Sequence, residues 1–275
     1  MNHLLYIAHT SAPVRRQALW AALSALAFKG ALPLRVHLWT DAPREFGRLE
    51  GEVELREVGA ETVRGWIAPT GYQHRAKPAA LRELARAFPG DKLALADADT
   101  FFKAPLAPLY ERIGPGAAVM HQREYQVSER DSPMMHRFRR KLARARFRGA
   151  PVELDRTMWN SGVVGLGPDL FPLIDDWLAF LDEVWPQTRR WVLEQYALAT
   201  LLQRAGHEIR PADDLLVHYW WDKPRHDQAI AEALARTEGR GLAAVLEELR
   251  AHPIEIARPP PRQHRPNFFQ RVFGW

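Results

Sequence analysis

Two carboxylates one residue apart, Asp97 and Asp99, lie in the run Leu95-Ala96-Asp97-Ala98-Asp99-Thr100-Phe101-Phe102. The preceding Lys92 to Ala96 reads as a buried strand, and aspartate is depleted from strands. Like charges at this spacing repel unless a cation sits near them. A hard divalent ion on oxygen ligands meets that need and can also bridge a diphosphate. A bare Asp-x-Asp is often no more than a solvated turn; the apolar entry and the Phe-Phe…Pro105-Leu106 continuation favour the metal. The chain has no cysteine, which excludes disulfides, thiolate zinc, iron–sulfur clusters and a cysteine nucleophile. Walker A, H-E-x-x-H and G-x-S-x-G patterns are absent. Gly162-x-x-Gly165-x-Gly167 runs from a strand to Pro168, so it is not a dinucleotide fingerprint.

The elements around the acid pair alternate. Leu4 to Ala8, Leu34 to Thr40, Val53 to Val58 and Lys92 to Ala96 read as strands. Val14 to Phe28, with Pro13 in its first turn, and Pro78 to Phe88 read as helices. Later come a strand over Trp159 to Leu166, entered through a small-residue turn, and helices over Pro168 to Trp185 and Val192 to Ala205. A strand over Leu215 to Trp220 and helical residues 225 to 250 follow. This order predicts one α/β domain, with a mostly parallel central sheet flanked by helices on both faces. Ligands of such sheets bind at the carboxyl ends of the strands, where His9-Thr10 and Asp97-Ala98-Asp99 fall. No repeat or linker divides the chain, so the domain spans 1–257 and leaves a tail, 258–275.

Four features in order carry a family resemblance: Asp97-Ala98-Asp99 with Pro105-Leu106; Trp159-Asn160-Ser161-Gly162-Val163; Glu194-Gln195 before a helix; and His218-Tyr219 with Lys223-Pro224. In this pattern the chain resembles glycosyltransferases of the GT-A fold, a Rossmann-like architecture. It is most similar to the glycogenin and lipopolysaccharide galactosyl- and glucosyltransferase group, a family 8-like set. The resemblance covers roughly residues 3 to 224, and departs from the group where its Asp-Gln pair is Glu194-Gln195 here.

The resemblance implies a transferase that moves a hexose from a nucleotide-diphosphate sugar, a UDP-sugar first, to a cell-surface glycan or lipid-linked saccharide, with retention. It implies Mn²⁺ or Mg²⁺ held by Asp97, Asp99 and His218 against the donor diphosphate; a core histidine is the plain alternative for His218. Two anions and an imidazole suit such an ion and leave positions for phosphate oxygens. Ala8, His9 and Thr10 would cradle the nucleoside. Lys77 first and Arg75 second would meet the donor sugar and phosphates. A basic residue at a helix start opposes the helix dipole, which itself points to an anion nearby. Ser161 and Lys223 complete the donor candidates. Asn160, Glu194 and Gln195 are the catalytic candidates, facing the transferred sugar. The alternatives are a plain strand start for Asn160-Ser161 and helix capping for Glu194-Gln195.

Net charge is +5 over 275 residues, but arginine-rich composition alone does not argue for nucleic acid, and none is expected as a partner. Arg137 to Arg148 holds seven basic residues and no acid; it contacts an anionic acceptor or is a solvated helix. The tail from Arg258 to Trp275 has four arginines and four aromatics without an acid. It fits peripheral contact with an anionic membrane, or a disordered or self-packed end. No secretion signal or ~18-residue apolar run appears, so a cytoplasmic place is expected, with the inner membrane face as a peripheral site. Two rivals remain. A sugar nucleotidyltransferase would carry a Gly-rich basic loop, where His9-Thr10-Ser11-Ala12-Pro13 stands. A non-enzymatic basic protein would dock on membrane or nucleic acid through Arg137 to Arg148.

Overall fold

In the computed structural model, which describes residues 1–9 and 11–257, the first strand, β1 (Asn2–Ala8), buries both of its faces. Leu4, Tyr6 and Ala8 enter one apolar core and Leu5 the other. Side chains alternate along a strand, so a strand buried on both sides lies inside a sheet covered on both faces. The chain continues through α1 (Ala12–Phe28), β2 (Leu34–Thr40), β3 (Glu54–Glu57), α2 (Ala60–Ile67), α3 (Ala76–Ala87) and β4 (Lys92–Ala96). Next come β5 (Thr100–Phe102), α4 (Ala107–Glu111), β6 (Ala117–Gln126), α5 (Pro133–Leu142), β7 (Arg146–Phe147) and β8 (Ala150–Pro151). The last elements are β9 (Thr157–Leu166), α6 (Pro172–Thr188), α7 (Leu193–Arg204), β10 (Glu208–Arg210), β11 (Leu216–His218), α8 (Lys223–Arg236) and α9 (Leu242–Ala251).

The central sheet has seven strands in the order β10-β6-β9-β4-β1-β2-β3. β1 runs parallel to β2 and β4, and β2 parallel to β3. β9 runs antiparallel to both of its neighbours, β4 and β6. The amino-terminal part of β9 therefore lies at the edge where β1, β4 and β6 end. Leu93 and Leu95 face the core under α3, α6 and α7, while Ala94 and Ala96 face the core under α1, α8 and α9. A separate ribbon pairs β5 with β11. This is the mostly parallel α/β sheet flanked by helices that the alternation predicts.

Several expectations change in detail. Asn160 and Ser161 lie inside β9, which begins at Thr157, so no small-residue turn precedes the strand. The reason is β6: its long carboxyl half pairs with Met158, Trp159 and Asn160 and keeps them extended. The helix at residue 78 starts earlier, at Ala76, which puts Lys77 in its first turn. The late strand shortens to Leu216–His218, and residues 225 to 250 divide into α8 and α9 around Gly239 and Gly241. Gly239 has φ +71°, a conformation that costs glycine little and other residues more. Of the basic run, Arg137 to Leu142 belong to α5, and Phe138 and Leu142 pin that helix to the core.

Candidate functional site

The sheet edge brings the acid pair and the late histidine together. Asp97 N–H donates to Gly162 O (2.9 Å), which carries the β4–β9 ladder one step past β4. The chain then turns, and β5 pairs with β11 so that His218 lies opposite Thr100. Tyr219 N–H donates to Asp99 O (3.1 Å) and fixes the two segments. His218 Nε2 stands 3.5 Å from Asp99 Oδ1 and 3.8 Å from Asp97 Oδ2. One ligand atom from each of the three lies within 4.8 Å of the others.

Which face of the imidazole meets the carboxylates is fixed by a chain of hydrogen bonds. Gly162 N–H, which can only donate, gives its proton to Asn160 Oδ1 (2.9 Å). The same oxygen lies 2.8 Å from His218 Nδ1, so Nδ1 carries a hydrogen and donates. In the neutral ring that leaves the lone pair on Nε2, aimed at two carboxylates. An acceptor facing acceptors needs a positive charge between them, either a proton on Nε2 or a metal ion. The residues thus fit a divalent ion with two carboxylates and one imidazole, whose far nitrogen is held by a hydrogen bond as in most metal-binding histidines. Gly162 leaves room for the ring: a Cβ there would meet Nδ1 at 2.2 Å.

Lys77 reaches the same place from α3. Its Nζ is 2.7 Å from Asp97 Oδ1, 3.3 Å from Ser161 O and Oγ, and 3.6 Å from Glu194 Oε2. Burial alone would lower this ammonium, but Asp97, Glu194 and Asp99 outweigh it and hold the group above its ordinary value. The anion that Lys77's place at a helix start calls for is thus supplied by the protein itself. Glu194 opens α7 and is 3 % exposed. Its Oε2 accepts from Ser161 Oγ (2.7 Å), while Oε1 is buried without a hydrogen-bond partner. Burial raises the Glu194 carboxyl, and Lys77 only partly opposes this. Burial likewise pushes Asp99 up, but His218 and Lys223 prevail and hold it below the usual carboxylate range. Lys223 Nζ lies 2.8 Å from Asp99 Oδ2 and is about half exposed.

Glu124, on β6, is a functional neighbour that the sequence does not single out. Its Oε1 accepts from Asn160 Nδ2 and its Oε2 from Gln195 Nε2, both at 3.2 Å. It therefore holds both amides in one orientation. All these groups line a cavity of about 1440 Å³ that also takes in His9, His74, Arg123, Arg130 and Trp191. Burial first, then Lys77, lowers the His74 imidazole to about 4. His9 lines the cavity with an unpartnered Nδ1.

Not every expected residue arrives. Arg75 is 8 % exposed and turned away from the cleft: its guanidinium grips Asp182 on α6 (2.5 and 2.8 Å) and donates to Trp66 O (2.6 Å). Two residues along a helix rotate the side chain by about 200°, which puts Arg75 and Lys77 on opposite sides. The side chain of Ala8 is packed in the core under α1. Thr10 lies outside the described residues.

Neither a protein-family model nor a curated protein sequence matches the chain. Solved structures do. Galactosyltransferase LgtC, in complex with donor and acceptor sugar analogues, superposes with a TM-score of 0.52 at 13 % identity, over 84 % of this chain and 95 % of that one. Mouse xyloside xylosyltransferase 1, in its apo form, gives 0.49 at 18 % identity, over 84 % and 92 %. At such identity the likeness is one of fold, and that fold is the GT-A type.

Proposed function

We propose that this chain is a divalent-metal-dependent glycosyltransferase that moves a hexose from a nucleotide-diphosphate sugar, a UDP-sugar first, to a saccharide acceptor. The observation that carries this is the Asp97–Asp99–His218 cluster, with Nε2 of the imidazole facing both carboxylates, at the open edge of a GT-A sheet. The motif order that links the chain to the glycogenin and lipopolysaccharide transferase group supports a hexose donor and a cell-surface or lipid-linked glycan acceptor.

Asp97, Asp99 and His218 would hold Mn²⁺ or Mg²⁺. Bound there, the ion supplies Lewis-acid stabilisation of charge on the departing diphosphate. The chain's own residues do the rest. Lys223, half exposed on a long stem, presents an ammonium to phosphate oxygens. His9 lies at the end of β1, on the nucleoside side. Glu194, with Oε1 unpartnered and Oε2 held by Ser161, accepts from hydroxyls of the transferred sugar. Gln195, its Nε2 held by Glu124, keeps its carbonyl oxygen available to the transferred sugar. By the resemblance in motif order, transfer is proposed to proceed with retention. The domain is proposed to span 1–257. The tail, proposed as a peripheral membrane contact, lies outside the described residues. Among those residues, no helix is long and apolar enough to cross a membrane.

The test is thermal unfolding with UDP, GDP or TDP, each with and without Mn²⁺ or Mg²⁺, followed by a donor-hydrolysis screen. At ~100 times Kd a ligand adds ~2.7 kcal/mol, so nucleotide and ion together should raise the melting temperature by several degrees. Asp99→Asn should abolish the joint effect and the hydrolysis. No stabilisation by any nucleotide with either ion would refute the reading.

A further inference from the structure

The cleft is larger than a single ligand requires, since sites for one small molecule enclose ~300–1,000 Å³, and its two ends differ in charge. Around the acid pair, Asp97, Asp99 and Glu194 face Lys77 and Lys223. Farther along β9 the balance reverses. Gln122 pairs with Asn160, Arg123 with Trp159 and Tyr125 with Met158. Met158 is four residues from Gly162, so this end lies roughly 13 Å along the strand from the acid pair. Its charged lining groups are Arg123, Arg130 and Glu124, and both oxygens of Glu124 are taken by the amides of Asn160 and Gln195. Neither arginine has an ion-pair partner among the described residues.

Arg130 is held in place. Arg139 donates to the carbonyls of Val127 (3.0 Å) and Arg130 (2.7 Å), which fixes the loop between β6 and α5. The Arg130 guanidinium lies over the Tyr125 ring, 5.4 Å from its centroid. Trp191, 57 % exposed, lines the same cavity and offers a flat apolar face of the kind that sugar rings stack on. The same sign continues along α5 and just past it, where Arg140, Lys141 and Arg144 line a second hollow of about 360 Å³.

We propose that the Arg123–Arg130 end of the cleft, which Trp191 also lines, is an acceptor subsite for an anionic saccharide, one that carries a carboxylate or a phosphate. This rests on the glycosyl-transfer reading above. Two guanidinium groups against the single carboxylate of Glu124, in a cleft that an exposed indole also lines, match an acid sugar better than a neutral one. An anionic membrane would need the positive groups on a convex face; Arg123 and Arg130 instead line a concavity continuous with the metal cluster.

The test uses the full chain, Mn²⁺ and whichever nucleotide sugar the screen finds hydrolysed. Acceptors are matched pairs: 4-nitrophenyl β-glucuronide against the β-glucoside, and a galactoside 6-phosphate against the galactoside. The charged member should have kcat/KM about tenfold higher, and the advantage should shrink at high salt. Arg123→Gln and Arg130→Gln should each raise KM for the charged acceptor about fivefold, the scale of one exposed charge pair, and KM for the neutral one by less. Arg130→Lys should recover part of the loss, which a misfolded variant cannot show. Donor hydrolysis with equal kcat/KM for both members of each pair would overturn the inference alone. No hydrolysis of any donor would remove the transfer reading and this one with it. Loss of binding to anionic vesicles in the Arg→Gln variants, with acceptor KM unchanged, would also overturn it in favour of a membrane surface.

Discussion

Gly162→Ala isolates the imidazole from the rest of the site. The added Cβ would stand 2.2 Å from His218 Nδ1, 2.6 Å from Cγ and 2.9 Å from Cε1. Ordinary contact begins at about 3.4 Å, so the ring must retreat by roughly 1.2 Å. Metal ligands tolerate about 0.2 Å of misplacement. Gly162 has no left-handed backbone conformation to protect, and glycine inside a strand costs ~0.5–1 kcal/mol against alanine. Without the clash, the substitution would therefore stabilise β9. With it, overpacking of ~1–3 kcal/mol should leave the protein folded but net weaker by about 1 kcal/mol. Displacing an oriented ligand should cost about 10–100-fold in Mn²⁺ affinity. Titration calorimetry with Mn²⁺, alone and with UDP, reads the affinity, and urea unfolding reads the stability. If the effect runs through the ring, Gly162→Ala should add little on top of His218→Ala. Wild-type Mn²⁺ affinity in Gly162→Ala, in a folded protein, would refute the assignment of His218 as a ligand.

Two further predictions concern buried charge. Lys77→Met removes the ammonium between Asp97 and Glu194 and should destabilise by about 3 kcal/mol; adding Glu194→Gln should restore part of this, and urea midpoints that do not move would contradict the ion triad. His37 is buried against His3 (2.8 Å) and close to Glu54 (3.1 Å); burial, then His3 and Arg35, lower its imidazole to about 4. The folded protein then binds fewer protons than the unfolded chain, so this contribution is complete above about pH 6.5 and is lost as pH falls to about 4. The interval corresponds to about 3 kcal/mol. His37→Gln should flatten that part of the stability profile, and identical slopes for variant and parent would show that the ring is already charged in the fold.

How much of this was legible in the sequence depended on where each signal lives. β1, β2 and β4 are apolar runs between turn residues, and their pattern survives without a fold. β6 escaped because part of its second half, Gln122 to Tyr125, lines a polar cleft rather than a core, which erases the strand's hydrophobic pattern. Asp97 and Asp99 were readable because two acids at a strand end are anomalous locally. Lys77 was readable for a related reason, as a cation at a helix start. Arg75 carried the same local signal and turned the other way, since only the packing of α3 on α6 decides which of two neighbours faces the cleft. Glu124 left no local trace. Its role arises from an irregular register between β6 and β9, with shifts at Met120/Gln122 and Arg123/Tyr125, that carries its carboxylate to two amides from different elements.

The two lysines at the acid pair do different work, and their exposure shows why. Lys77 is 13 % exposed and is shared among Asp97, Ser161 and Glu194. Moving it would leave several buried oxygens without a partner, a cost of a few kcal/mol. Lys223 is 47 % exposed and holds only Asp99 by one contact. An exposed pair of that kind contributes ~0.2–1 kcal/mol, within thermal reach of breaking. A dication on Asp97 and Asp99 competes with both lysines for the same oxygens. On the proposed reading Lys223 is the one that would yield, and its long stem would then reach the space beside the acid pair. Lys77 stays and offsets Asp97 against Glu194, so that one carboxylate can face the cation while the other keeps an unpartnered oxygen for a hydroxyl group. Fixed and exchangeable cations at one acid pair are what a site needs if it must hold its shape empty and still gather phosphate oxygens when a nucleotide arrives.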